Sequence, residues 1–248
     1  TREDVAFQAR RLLADPRARE AVREFHDQWL KLKHIDEVQK DPDQYPDFDP
    51  AVLALLRSEA ETFIDHVIWD GEGDLNTLLQ APYTFMNADL AKYYDVEGPV
   101  SEAFEKVELG PEKASGFLTQ GGLMAVLAKA NQTSPIHRGK FIRESILCQF
   151  IPPPPDNVDI TPPEVDPNLP TRDRFLQHSA DPFCAGCHSM MDPIGFGFEH
   201  FDGIGKWRDV EAGKPIDATG EIISAKVMGA FDGVPGLATM LVDSPEVE

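Results

Sequence analysis

Of the 248 residues, 42% are hydrophobic and 27% charged, enough to bury a substantial core in one large domain or two smaller ones. Against 23 basic residues stand 43 acidic ones, a formal charge of −20 that makes nucleic acid and anionic membrane surfaces poor partners and favours a basic docking surface on any protein partner. No run of eighteen apolar residues is present, so no transmembrane span is expected.

Thr1-Arg2-Glu3-Asp4 opens directly into a helical pattern, without the basic start and apolar stretch of a signal peptide. The first hundred residues read as helices. Val22, Phe25, Trp29 and Leu32 recur at helical spacing, and Leu56, Ala60, Phe63 and Val67 repeat the pattern after the start signal Asp47-Phe48-Asp49-Pro50. These stripes are expected in a core. His26, His34 and His66 lie on or beside them and are expected at the surface or in hydrogen bonds. The turn-rich join Val96-Glu97-Gly98-Pro99 closes a first module at residues 1–98.

A second module is expected over residues 110–210. Gly121 and Gly122 inside the apolar run from Gly116 to Ala128 imply close packing or a bend. Ser134-Pro135 places a cap and a first-turn proline ahead of a helix carrying Phe141, Ile142, Ile146 and Leu147. Cys148, near its end, is expected as a small buried hydrophobe. From Pro152 to Pro170 eight prolines fall in nineteen residues, which excludes helix and central strand and predicts an extended strap. The strap either spaces two domains or covers one edge of a cofactor. A helix from Thr171 to Ser179 follows it.

Cys184-Ala185-Gly186-Cys187-His188 is the attachment signature of c-type haem: two thioethers anchor the porphyrin and the adjoining histidine binds iron. Haem c on Cys184 and Cys187, with His188 as axial ligand, is therefore the expected cofactor. A zinc site completed by Cys148 or His178 and a redox disulfide between Cys184 and Cys187 are the competing readings. The sixth iron position divides between His178 and Met228, with other residues or an open site as alternatives. A filled site implies electron transfer, an open one ligand or peroxide chemistry. The second ring nitrogen of His188 needs an acceptor, for which the Pro193–Gly195 backbone is the candidate. Arg208, and after it Arg172 and Arg174, are candidates for haem propionates. The glycines alternating with aromatics from Gly195 to Gly205 suit a backbone passing close to a flat apolar face.

Several stretches resemble one family: multidomain secreted proteins of planctomycetes and myxobacteria, built from domains of unknown function with a c-type haem-binding module among them. Phe25-His26-Asp27-Gln28-Trp29-Leu30 and the run from Ala81 to Ala91 are similar to its helical first module. Gly116-Phe117-Leu118-Thr119-Gln120, Thr133 to Gly139, Pro152 to Pro155, and His178 through Arg208 are similar to its second. Ile216 to Leu241 resembles the opening of a third module, placed at 211–248. Ser244-Pro245 reads as the cap and first turn of a further helix, with more chain expected beyond residue 248. The resemblance adds weight to His178, which precedes the motif, and removes it from Met228. It implies a redox role without a defined substrate.

The expected fold is mainly α: a helical N-terminal bundle followed by a cytochrome-c-like helical haem domain with a proline-rich strap. The expected function is an extracytoplasmic c-type cytochrome, periplasmic or at the cell surface, exchanging electrons with a protein partner. A haem enzyme of the peroxidase type and a zinc-stapled interaction module are the alternatives.

Overall fold

The computed structural model describes residues 1–71, 73–154, 161–180 and 182–247, apart from the side chains of His178, Pro182 and Phe183. It is mainly α, with three small two-stranded antiparallel sheets among the described residues.

Helix α1 (Arg2–Leu13) starts with a capping box between Thr1 and Asp4 and buries none of its residues. Helix α2 (Arg17–Trp29) follows. Its expected core stripe is broken at Phe25, whose side chain is 59% exposed and stacks on Trp29 at the surface. Helix α3 (Val52–Asp65) is central: Leu56, Ala60, Phe63 and Val67 are all fully buried, as their spacing predicts, and the helix runs on into a π turn at His66–Asp70. Of the histidines expected at the surface or in hydrogen bonds, His26 is buried and held by the Val22 carbonyl, while His34 meets Glu37.

Helix α4 (Leu75–Gln80) is capped by Asp74 and α5 (Ala88–Tyr94) by Asn87. Between them lies a strand that the helical reading of the first hundred residues passes over. Strand β1 (Tyr83–Met86) pairs antiparallel with β2 (Glu105–Glu108), across α5 and the join at 96–99. The alternating aromatics Tyr83 and Phe85 suit a pleated strand better than a helix face.

Helix α6 (Gly121–Val126) brings its first glycine against Tyr94 and α3, where a Cβ on Gly121 would lie 2.1 Å from the Tyr94 hydroxyl. Helix α7 (Pro135–Phe141) carries the expected Ser134 cap and first-turn proline, and ends in a π turn at Ile142–Ile146. Cys148 is exposed, contrary to its expected burial: it lies beyond the end of the π turn, in a left-handed conformation with φ +51° that leaves the helical stripe of Phe141, Ile142 and Ile146. Part of the strap is described. The Pro163 carbonyl accepts from Gln132, while 155–160 lie outside the described residues.

Helices α8 (Thr171–His178) and α9 (Pro182–Phe196) pack on each other, and α9 crosses α7 closely. Strands β3 (Val210–Glu211) and β4 (Lys214–Pro215) form one ribbon, β5 (Thr219–Ile222) and β6 (Gly229–Asp232) another; helix α10 (Gly233–Val242) then packs on α4. Ile222, Phe231, Leu237 and Leu241 join Leu56, Phe63, Phe117, Ile142 and Phe198 in one continuous core. The segment after residue 210 thus completes the hydrophobic interior shared by the regions before it. No described helix is long and apolar enough to cross a membrane.

Candidate functional site

The Cys-x-x-Cys-His run occupies the first half of α9. On a helix, positions three and four apart share a face, so Cys184 lines up with both Cys187 and His188, and His188 with Asp192. Both cysteines are free and partly exposed. Gly186, between them, is exposed, and a Cβ built there meets nothing within 4 Å. The two partly exposed thiols thus share one face of the helix, and the space beside Gly186, on another face, is open.

His188 is half-buried, and its Nδ1 lies 2.9 Å from Oδ2 of Asp192. A carboxylate can only accept, so the proton of this hydrogen bond sits on Nδ1, which makes Nε2 the nitrogen that a neutral ring would offer to a ligand. The same hydrogen bond holds the His188 pKa above its ordinary value, with partial burial opposing the shift. The orienting acceptor is thus the Asp192 side chain and not the expected Pro193–Gly195 backbone. That backbone is committed to packing. A Cβ on Gly195 would lie 1.9 Å from the Pro135 carbonyl oxygen, a Cβ on Gly139 1.9 Å from that of Met191, and Gly220 sits against the carbonyl of Pro193. Two glycines, one on each helix, let α7 and α9 cross backbone to backbone. Close approach to protein backbone, not to a flat cofactor, accounts for Gly195. Arg143 adds a hydrogen bond from Nε to the Met190 carbonyl at 2.8 Å.

Beyond α9 the chain is held by a buried charge network. Arg138 is fully buried and donates to the carbonyls of Phe198, Phe201 and Asp202, with Glu199 at 3.4 Å. Glu199 also accepts from Thr133 and, at 2.8 Å, from Arg208. Burial pushes the Glu199 carboxyl up, with both arginines pulling it back. Arg208 divides its guanidinium among the Glu199 carboxylate, the Glu199 carbonyl and Glu211. The structure thus gives Arg208 protein partners where haem propionates were expected. The same holds for Arg172, paired with Asp217, and for Arg174, which donates to the Leu169 carbonyl, Gln132 and Thr171. A separate polar cavity of about 300 Å³ lies under the strap, between Tyr45, Gln132, Arg174 and Arg208; Cys184, Cys187 and His188 are not in its lining.

Met228 stands 65% exposed on the connection between β5 and β6. His178 is the last residue of α8, and its side chain lies outside the described residues. Among the described residues no cluster of three or more His, Cys, Asp or Glu side chains forms a metal-holding group. Asp192 was the residue that sequence reasoning missed. Its signal was available, since a carboxylate four residues after a histidine on one helix can reach the ring.

Comparison with known families finds two matches. Residues 1–96 match the family described as PSD4, a protein of unknown function (DUF1592), and residues 114–211 match the family described as PSCyt3, a protein of unknown function (DUF1588). No curated protein matches the chain, and no solved structure does.

Proposed function

We propose that this chain is an extracytoplasmic c-type cytochrome in which Cys184 and Cys187 hold one haem through thioethers and His188 supplies the axial nitrogen. The observation that carries the reading is the state of the motif: two free, partly exposed thiols one helical turn apart, followed by a histidine whose Nδ1 is already engaged by Asp192. This is the donor set that covalent attachment needs, with the ring held so that Nε2 is the ligating atom. Bound haem would supply a one-electron Fe(III)/Fe(II) couple. The protein's part is to anchor it, orient the ligand and expose an edge to a redox partner.

For the sixth position we favour His178, on the helix packed against α9, over Met228, whose side chain stands in solvent on a connecting loop. The partner is a redox protein with a basic docking surface, suited to the −20 formal charge, and association weakens as salt rises. A second reading, a haem enzyme of the peroxidase type, is favoured by one observation: the acceptor on His188 is a carboxylate, which strengthens the axial donor.

The test is expression in a bacterium with haem-attachment machinery outside the cytoplasm. The expected product carries the mass of one haem and shows the reduced pyridine haemochrome of a thioether-linked porphyrin, and both are lost in Cys184→Ser/Cys187→Ser. A polypeptide of unmodified mass overturns the reading. A low-spin reduced spectrum with a sharp alpha band supports the carrier. A high-spin spectrum that shifts with cyanide or carbon monoxide supports the enzyme.

A further inference from the structure

We propose that Asp192 is a positioning residue for His188, fixing its ring and raising the electron density at Nε2, so that the site works at a lower reduction potential than a carbonyl-held histidine would set. The proposal rests on the haem reading above and deepens it by naming the side chain that tunes the couple.

The contact is short and sheltered. Nδ1 and Oδ2 are 2.9 Å apart, with the Asp192 side chain 4% exposed and that of His188 16%. Away from water, a charge-assisted hydrogen bond of this length is stronger than one between neutral groups. A ligating imidazole whose far nitrogen donates to a carboxylate takes on part of its negative charge, and this favours the metal state of higher charge. A backbone carbonyl, being neutral, transmits less.

Asp192 is also held in place by its neighbours in sequence. The Met191 carbonyl is lodged against Gly139, the Pro193 carbonyl against Gly220, and Gly195 against Pro135, while the Met190 carbonyl accepts from Arg143. The backbone on both sides of Asp192 is therefore clamped to α7, its π turn and β5. The arginines of the neighbouring elements are engaged elsewhere: Arg143 with Met190, Gln149 and the Ile223 carbonyl, Arg172 with Asp217 and the Thr219 carbonyl. When a one-electron donor protein reduces the site, the hydrogen bond from Nδ1 of His188 to Asp192 is kept. One electron enters and no proton moves, so the carboxylate charge acts directly on the equilibrium.

The experiment uses the haem-loaded full chain and its Asp192→Asn variant, with attached haem measured first. Spectroelectrochemistry is expected to show the variant's oxidised-to-reduced ratio, at a fixed poise, lower by about tenfold, or about 59 mV for one electron. An Asp192→Asn protein with haem attached and an unchanged potential overturns the proposal while leaving the haem reading intact. A wild-type chain that attaches no haem overturns both. Should the variant not fold, nitrogen-15 NMR of the wild-type chain before haem attachment decides: a proton on Nδ1 shared with a carboxylate supports the proposal, and a ring protonated on Nε2 overturns it.

Discussion

The two halves of α9 are built to opposite specifications. In the first, Cys184, Cys187 and His188 are all part-exposed, and a Cβ on Gly186 would touch nothing. In the second, Met191, Asp192, Ile194, Gly195 and Phe196 are buried, and Gly195, with Gly139 on α7, lets the two backbones meet at a distance no other residue allows. One helix thus joins an accessible chemical face to a clamped foundation, and the His188–Asp192 hydrogen bond spans the junction. The lesson is that a reactive motif can sit on accessible chain and still be oriented, provided its orienting partner lies one turn further into the core.

Four substitutions break or sharpen this contrast. Arg138→Ala strikes the foundation hardest, since it frees three buried carbonyls and leaves Glu199 with one cation fewer. Chemical denaturation should report a loss of about 4 kcal/mol. Gly195→Ala drives a Cβ into the Pro135 carbonyl and should cost about 3 kcal/mol by the same measurement. A wild-type stability for Gly195→Ala would show that the crossing can relax.

Glu59 tests whether stability elsewhere is separable from α9. Its carboxyl is buried, accepts from Tyr94 and Thr84, and is pushed up to about 7 by burial. A raised carboxyl means that folding takes up a proton: the contribution is fully present below the unfolded value of 4.5 and is lost as pH rises through about 7. Glu59→Gln should remove that slope, becoming about 3 kcal/mol more favourable relative to wild type between pH 5 and pH 8, read as the difference in denaturant midpoints. The thiol reactivity of Cys184 and Cys187 should not follow it. Gly186→Ala, in the open half, is the smallest change: a gain of under about 1 kcal/mol, from helix propensity alone. A large loss there would mean that something occupies the space beside Gly186.

How much of this was legible beforehand varies residue by residue. Local signals read well: the stripe from Leu56 to Val67, the Ser134-Pro135 cap and the short helix after Thr171 each depend on residues within one or two turns. Phe25 and Cys148 did not, because burial is decided by which surfaces meet, and both residues stay exposed, Phe25 with only its own helix neighbours His26 and Trp29 against its ring. Strand β1 needed its partner at 105–108, across α5 and the join at 96–99, before its backbone could be satisfied.

By itself, the sequence determined the chemistry available at residues 184–188, the helical character of about half of the chain and its acidity, since each follows from side-chain type and short-range spacing. Only the tertiary structure decided what those residues face. It set Asp192 on His188, tied Arg208 to Glu199 and Glu211, and pressed Gly195 against Pro135. Those pairings join groups that are distant in sequence or that compete with equally reachable partners, and the packing of α7, α9 and the β5–β6 ribbon selects among them.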